Sequence, residues 1–339
     1  MSQDKLHPYS LQSFYDCWWE HLSPKFNILQ AQNNFVIHRR GIPGKIGIKE
    51  LRYAGWNSAW SQDFGPRDEK EFLTLLDNSQ WDYFYLIWQE SRKKGQAFKA
   101  LRDMNLTLLQ KPVSTAYWID LSNGFDCYLN DLSAGRRKDI QKKLRKAAPL
   151  NPEMRRFRGE EGIEQFFSIF FKHHIKYWDQ KTGYSYFNDP RERNFIQAWA
   201  KSLEKEGRLL LEGFYLNNTL SNLTMNILIN HTLYSLITIN TGAFPEHAPG
   251  LLSLYYRMKN AQEYNILEIN MGDGEHGYKP GLANRQDPYY ALIIANPKSI
   301  AGITYLNFMK YKNAISQVTE SFQEWLKKSL SSKRKPVRL

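Results

Sequence analysis

Ten residues late in the chain, Asn270 to Lys279, gather its densest chemistry: Asp273, Glu275, His276, Tyr278 and Lys279. An imidazole beside a carboxylate, as His276 stands beside Glu275, can be tuned to titrate near neutral pH. A phenol can hand a proton to a leaving group, which makes Tyr278 a candidate general acid. Lys279 is a candidate contact for a phosphate or carboxylate on a substrate. The plain alternatives are a packed Tyr278, a solvated Lys279, and a Glu275–His276 pair whose side chains point apart.

The other chemistry-bearing types argue for less. His173-His174 lack the i, i+4 spacing of a helical zinc site and have no cysteine or acidic partner nearby, so core or surface histidines are expected and no metal. Cys17 and Cys127 cannot make a disulfide framework and have no base-paired setting for a thiol nucleophile. Trp18, Trp19, Trp56 and Trp60 could line a sugar face, but an aromatic core is the commoner outcome. Lys plus Arg is 46 against 34 for Asp plus Glu in 339 residues, a net charge of +12. Arg136–Lys146 holds seven bases and one acid, and Lys327–Leu339 six bases and none, so two segments carry the whole excess. Charge in segments suits a helix touching an anionic ligand and a loose tail better than a broad nucleic-acid face. No apolar run approaches a membrane span, and the N-terminus lacks a signal pattern. A protein of the reducing cytoplasm is expected, with peripheral contact at the inner membrane face open through the basic tail.

The elements that would position these residues alternate between strands and helices. Helices are expected over His7–Leu22, Lys70–Leu76 and Gln96–Asn105, and strands over Asn34–Arg40, Gly47–Tyr53, Tyr83–Trp88 and Tyr117–Leu121. Ser133 caps a basic helix that Pro149 stops, and Asp189-Pro190 opens another after the apolar helix Gly162–Trp178. Arg208–Leu216, Leu220–Ile229 and Thr232–Asn240, joined at Asn217-Asn218 and Asn230-His231, form an antiparallel meander. A helix over Gly250–Tyr264 then crosses the sheet, so that strand Ile266–Met271 returns beside the third meander strand. The class is α/β in the broad α+β sense.

That order, with four local stretches, resembles the GNAT acyl-CoA N-acyltransferases, and most closely the CelD/BcsL type, a group similar to the tandem GNAT-like folds of Fem peptidyltransferases. The stretches are Leu121–Ala147, Phe171–Trp178, His247–Met258 and Asn270–Leu282, with support from Leu51–Pro66. The resemblance implies two tandem GNAT-like domains, each a mostly antiparallel mixed sheet flanked by helices. These are a degenerate or acceptor-binding copy over 1–125 and a catalytic one over 126–315 carrying the basic helix 134–148. A terminal helix and basic tail over 316–339 follow. It implies acetyl-CoA or another acyl-CoA as co-substrate and no metal. The acceptor would be a small-molecule, glycan or lipid amine, such as an amino sugar or a cell-envelope or exopolysaccharide precursor.

In that family free amides at the central helix start hold the pyrophosphate. Here Pro249 has no N–H, so the donors would be Gly250, Leu251 and Leu252, with Asn240, Thr241 and His247 beside them as cofactor contacts. His247 stands where the family has Gln or Arg, and Leu252 replaces a small residue. Asn270 replaces the usual Asp and can accept a hydrogen bond but not a proton, which moves acid–base work to Asp273 or Glu275. Arg136 and Arg137 are expected to touch substrate. Two other readings stay open: a Fem-like transferase drawing on aminoacyl-tRNA gripped by the basic helix, and a non-catalytic degenerate adaptor.

Overall fold

The computed structural model describes residues 7–32, 35–41, 47–55, 76, 80–89, 107–274 and 277–315. Helix 96–105, all but Leu76 of helix 70–76, Trp56, Trp60, Glu275, His276 and the tail fall outside those residues. Eleven strands form one sheet: β1 Ile28–Gln32, β2 Phe35–Gly41, β3 Gly47–Tyr53, β4 Tyr83–Gln89, β5 Leu108–Asp120, β6 Glu153–Phe157, β7 Leu209–Leu216, β8 Thr219–Ile229, β9 Thr232–Asn240, β10 Glu268–Asp273 and β11 Arg285–Ala295. The helices are α1 Gln12–His21, α2 Phe125–Asp131, α3 Ala134–Ala147, α4 Gly159–Thr182, α5 Pro190–Lys205, α6 Pro249–Lys259, the short α7 Lys279–Leu282, and α8 over residues 300–315. No helix among the described residues is long and apolar enough to cross a membrane.

The strand order is β1-β2-β3-β4-β11-β5-β10-β9-β8-β7-β6. Only β3/β4 and β9/β10 run parallel. Read inward, β1–β4 from one edge and β7–β10 from inside the other, where β6 adds an outermost strand, repeat the same order and the same parallel last pair. The two closing strands are exchanged at the centre: β11 lies beside β4, and β5 beside β10. The result is a mostly antiparallel mixed sheet with a pseudo-twofold between β5 and β11.

Local chemistry sets the second half. Asn217 and Asn218 (φ 46° and 59°), then Asn230 and His231 (φ 47° and 65°), occupy the left-handed region, as two-residue hairpin turns demand. Ser133 Oγ accepts from Arg136 N–H at 3.4 Å to start α3, and Asp189 Oδ1 accepts from Arg191 N–H at 2.9 Å to start α5. Alternation along β9 sends Leu233 to one face and Tyr234 to the other. One core joins α1, α4 and α5 to the sheet around Phe166, Phe195 and Trp199; a second seats α2, α3 and α6 around Tyr128, Leu252 and Tyr255; two smaller clusters lie around Phe84 and around Tyr83 and Leu306 in the first half of the sheet. Across the α6 side runs a buried ion pair, Arg257 Nε to Glu212 Oε2 at 2.8 Å, with Arg257 Nη2 donating to Thr224 Oγ1 at 2.7 Å. These bonds fix α6 to β7 and β8.

Candidate active site

β10 returns beside β9 but stays paired with it only over Glu268–Asn270 against Thr232–Tyr234. Beyond that point the strands part, and both are irregular where they do. On β9 the register against β8 slips so that Leu236 is an extra residue, a β-bulge. On β10 the register against β5 slips between Asn270 and Asp273, Gly272 takes φ +74°, and Asn270 Oδ1 accepts from Gly272 N–H at 2.7 Å. The buried Asn270 amide thus shapes the kink in its own strand.

The parting strands open a cleft of about 340 Å³. Its walls are Tyr234–Thr238 of β9, Asn270–Asp273 of β10, Tyr278 and Lys279, and Tyr289 of β11, with His174 and Trp178 of α4, Tyr186, and the turn His7–Tyr9 closing the far side. Lys279 Nζ donates to Asp273 C=O at 2.6 Å, fastening α7 to the end of β10. Burial lowers the Lys279 pKa, and the Asp273 carboxylate opposes that shift. Partial desolvation also lifts the Tyr278 phenol above its usual value although the side chain is 38% exposed, so it stays protonated across the neutral range. Tyr9 is raised further, first by burial and then by Tyr289, Asp273 and Tyr186, so these groups share one electrostatic environment.

His174 is buried and meets one side-chain hydroxyl. Its Nδ1 lies 3.1 Å from Ser185 Oγ, which also accepts from Phe187 N–H at 3.2 Å. Both residues are buried, and the Ser185 hydroxyl proton has no other acceptor among the described residues. A Ser185 O–H donating to Nδ1 would leave the neutral ring's proton on Nε2; an Nδ1–H donating to Ser185 Oγ is the other tautomer. Burial drops its pKa to about 4, so the imidazole is uncharged at pH 7.

Four residues from the sequence reading, Asn270, Asp273, Tyr278 and Lys279, line this one cleft; Glu275 and His276 fall outside the described residues. The helix start corrects an expectation. Ala248 caps α6 in the left-handed region (φ 51°), which turns its carbonyl onto two amides: Leu251 N–H at 2.9 Å and Leu252 N–H at 3.1 Å. Of the three donors expected free, Gly250 N–H alone has no hydrogen-bond partner among the described residues. A Cβ at Gly250 would meet Asn240 Oδ1 at 3.0 Å and Asn222 Nδ2 at 3.4 Å, so close packing explains the glycine. Asn240 Oδ1 accepts from Asn222 Nδ2 at 3.0 Å, Thr241 Oγ1 donates to Leu220 C=O at 2.7 Å, and the Leu252 side chain is fully buried. All three shape the loop and the helix start.

His247 and Glu246 line a separate hollow of about 150 Å³ with Asp139, Lys142, Lys143 and Lys146 of α3. The Arg137 guanidinium donates to Asn130 C=O at 3.2 Å and Leu132 C=O at 3.4 Å, which closes the end of α2. Arg136 lies against Gly281 of α7. The sequence reading missed His7, Tyr9, His174, Trp178, Tyr186 and Tyr289. For His174 a signal existed, a histidine on the apolar stripe of an aromatic helix; for the others the partners are far apart in sequence.

Among the described residues no group of three His, Cys, Asp or Glu is placed to hold a metal ion. Residues 134–280 match the family model of an acetyltransferase (GNAT) domain. No curated protein matches the chain by sequence. Among solved structures, a conserved protein of unknown function from Bacteroides thetaiotaomicron VPI-5482 is 13% identical at TM-score 0.55, covering 87% of this chain and 93% of its own. FemX is 10% identical at TM-score 0.54, over 87% of this chain and 94% of its own. L-PGS from Bacillus licheniformis is 11% identical at TM-score 0.51, over 83% and 87%. The parallel pair that parts after three residues, the helix crossing behind it and these likenesses agree: the chain has a GNAT-type fold.

Proposed function

We propose that the protein is an acyltransferase that moves an acyl group from acyl-CoA to an amine held in the cleft between β9 and β10. The observation that carries the reading is the parting of those strands over a space walled by a carboxylate, a phenol and a neutral imidazole. Acyl-CoA supplies an activated thioester when bound, and the residues present fit it in three places. Past Tyr234 the inner edge of β9 has no β10 partner, so an extended amide arm can pair with it as an added strand. The Gly250 amide and the N-terminal end of α6 favour a diphosphate. The hollow beside that helix, where Lys142, Lys143 and Lys146 outnumber the carboxylates Asp139 and Glu246, offers cations to a further phosphate.

The chain's own groups then divide the chemistry. Asp273 draws in the ammonium form of the acceptor and takes its proton, so that the amine nitrogen can attack the thioester carbonyl carbon. The peptide group freed by the Leu236 bulge is the candidate donor to the carbonyl oxygen as charge develops there. As the carbon–sulfur bond breaks, Tyr278 gives its proton to the thiolate and recovers one from the nitrogen, and the proton on Asp273 leaves to solvent, so that the amide and the free thiol are released. Lys279 holds the end of β10 in place. The turn His7–Tyr9, from the opposite end of the chain, walls the acceptor side. This supports a division into a catalytic unit over 126–315 and an acceptor-binding contribution from 1–125. The CelD/BcsL resemblance points to amino-sugar or envelope-precursor acceptors.

A second reading, an aminoacyl-tRNA donor, is favoured by the basic face of α3 beside the start of α6. Calorimetry on the purified protein with acetyl-CoA and longer acyl-CoAs tests the first reading; absence of binding to all of them removes it. Retention of charged tRNA that weakens steeply with salt, in a protein deaf to acyl-CoA, would install the second.

A further inference from the structure

The face of α8 turned away from the sheet carries four large apolar side chains, with the exposed Thr304 among them and Asn307 beside them. Its inner side is fixed: Leu306 is fully buried, the Tyr305 ring lies 4.4 Å from that of Tyr83, Gly302 runs against the Asp82 carbonyl, and Ser299 Oγ donates to Asp82 Oδ1 at 2.6 Å. A helix turns by about 100° per residue, which brings Ile300, Phe308, Tyr311 and Ile315 together on the opposite side. They are exposed by 85%, 58%, 68% and 49%. Lys310 and Lys312 border this stripe on its two sides, and residues 296–315 contain three lysines and no carboxylate. The chain then runs on for 24 residues, the last thirteen holding six bases and no acid.

We propose that this face of α8 docks on an anionic lipid bilayer, its four apolar side chains entering the headgroup boundary while the lysines meet lipid phosphates. An apolar stripe bordered by cations of one sign is the pattern of an interfacial helix. The same borders oppose the other occupants. Two copies paired through the stripe would bring Lys310 and Lys312 against their own counterparts, and the chain beyond residue 315 carries net charge of that same sign. A membrane rich in acidic lipid is the partner whose charge complements both the stripe's borders and the downstream segment.

The test is flotation of the full-length protein with vesicles of phosphatidylcholine alone and of phosphatidylcholine with phosphatidylglycerol. Binding is expected only to the second kind and should weaken as salt rises. Phe308→Ser with Tyr311→Ser, both exposed, should lower the bound fraction more than roughly tenfold with the fold unchanged by circular dichroism. Lys310→Gln and Lys312→Gln should each weaken binding roughly fivefold. No flotation with acidic vesicles overturns the proposal. So does flotation that survives the double serine variant, which assigns the anchor to the tail alone. A dimer that the serine variant dissociates, or a fall in its melting temperature, gives the stripe to a second copy or to the chain's own end and overturns it equally.

Discussion

His174 gives the acid response of this protein a window that can be worked out in advance. Its imidazole titrates at about 4 when folded and at about 6.5 when the chain is unfolded. Between those values the unfolded chain binds a proton that the folded protein refuses, so stability falls as pH falls. The contribution is intact above pH 6.5 and gone below pH 4. At 1.36 kcal/mol for each pH unit, the whole loss is about 3 kcal/mol, of which roughly 2 kcal/mol has gone by pH 4.5. The perturbation is His174→Gln, which can still accept from Ser185 O–H and does not titrate. Unfolding in urea at pH 7.0 and 4.5, for both proteins, gives four stabilities. The wild type should lose about 2 kcal/mol more than the variant over that interval. His173, also lowered by burial, and the depressed carboxylates Glu50 and Asp189 are common to both proteins and cancel in the difference. Equal losses would refute the reasoning, because His174 would then titrate alike in both states and its ring could not be the buried, neutral imidazole described above.

Three other consequences can be measured directly. Arg257→Met strands Glu212, 1% exposed, as an unpaired buried charge and should cost about 3–5 kcal/mol in denaturant unfolding; adding Glu212→Leu should recover much of it. Tyr278→Phe should lower the transfer rate by roughly 10²–10⁴ while calorimetric binding of acyl-CoA stays as it was; an unchanged rate removes the phenol from the chemistry. Gly302→Ala drives a methyl into the Asp82 carbonyl where α8 meets the sheet, and should lower stability by about 1–3 kcal/mol in thermal melts.

What the sequence made legible was local. The meander could be placed because paired Asn and His residues at two-residue gaps tolerate the left-handed backbone, and β10 because a helix of known length left it one place to return. Ser133 and Asp189-Pro190 announced their helices by capping chemistry alone. The edge strands β1 and β6, with one neighbour each, carry too little apolar patterning to stand out. β11 and the long β5 were obscured by proline: Pro288 and Pro112 lie in or beside an irregularity where Val113 is left over from the ladder. The helix start misled for a different reason. Free amides were read from Pro249-Gly250, but the left-handed turn at Ala248, a residue with no glycine-like licence for it, decides where the carbonyl points. The Asp273–Tyr278–Lys279 end of the cleft could be read because those residues sit close in sequence. Its opposite wall, His7–Tyr9 and His174, could not, because only the folded sheet brings them there.

That dependence on distant segments extends to the sheet itself. β10, which carries Asn270 and Asp273, pairs on its far side with β5 over Glu268–Asp273, and β5 in turn pairs with β11 over ten registered positions. β5 lies before residue 126, so a fragment of residues 126–315 keeps β10 and β11 but loses the strand between them. β4 would be missing too, so β11 would be stripped of both its neighbours and β10 of one, leaving three unpaired edges, a state that invites aggregation. It would also lose the His7–Tyr9 wall of the cleft. The expected outcome is that 126–315 expressed alone is insoluble or fails to bind acyl-CoA, and that co-expression with 1–125 restores both properties by returning β5. If 126–315 instead proves soluble and binds acyl-CoA as the whole chain does, the exchanged strands are ornament, and the acceptor wall must be sought within the second half.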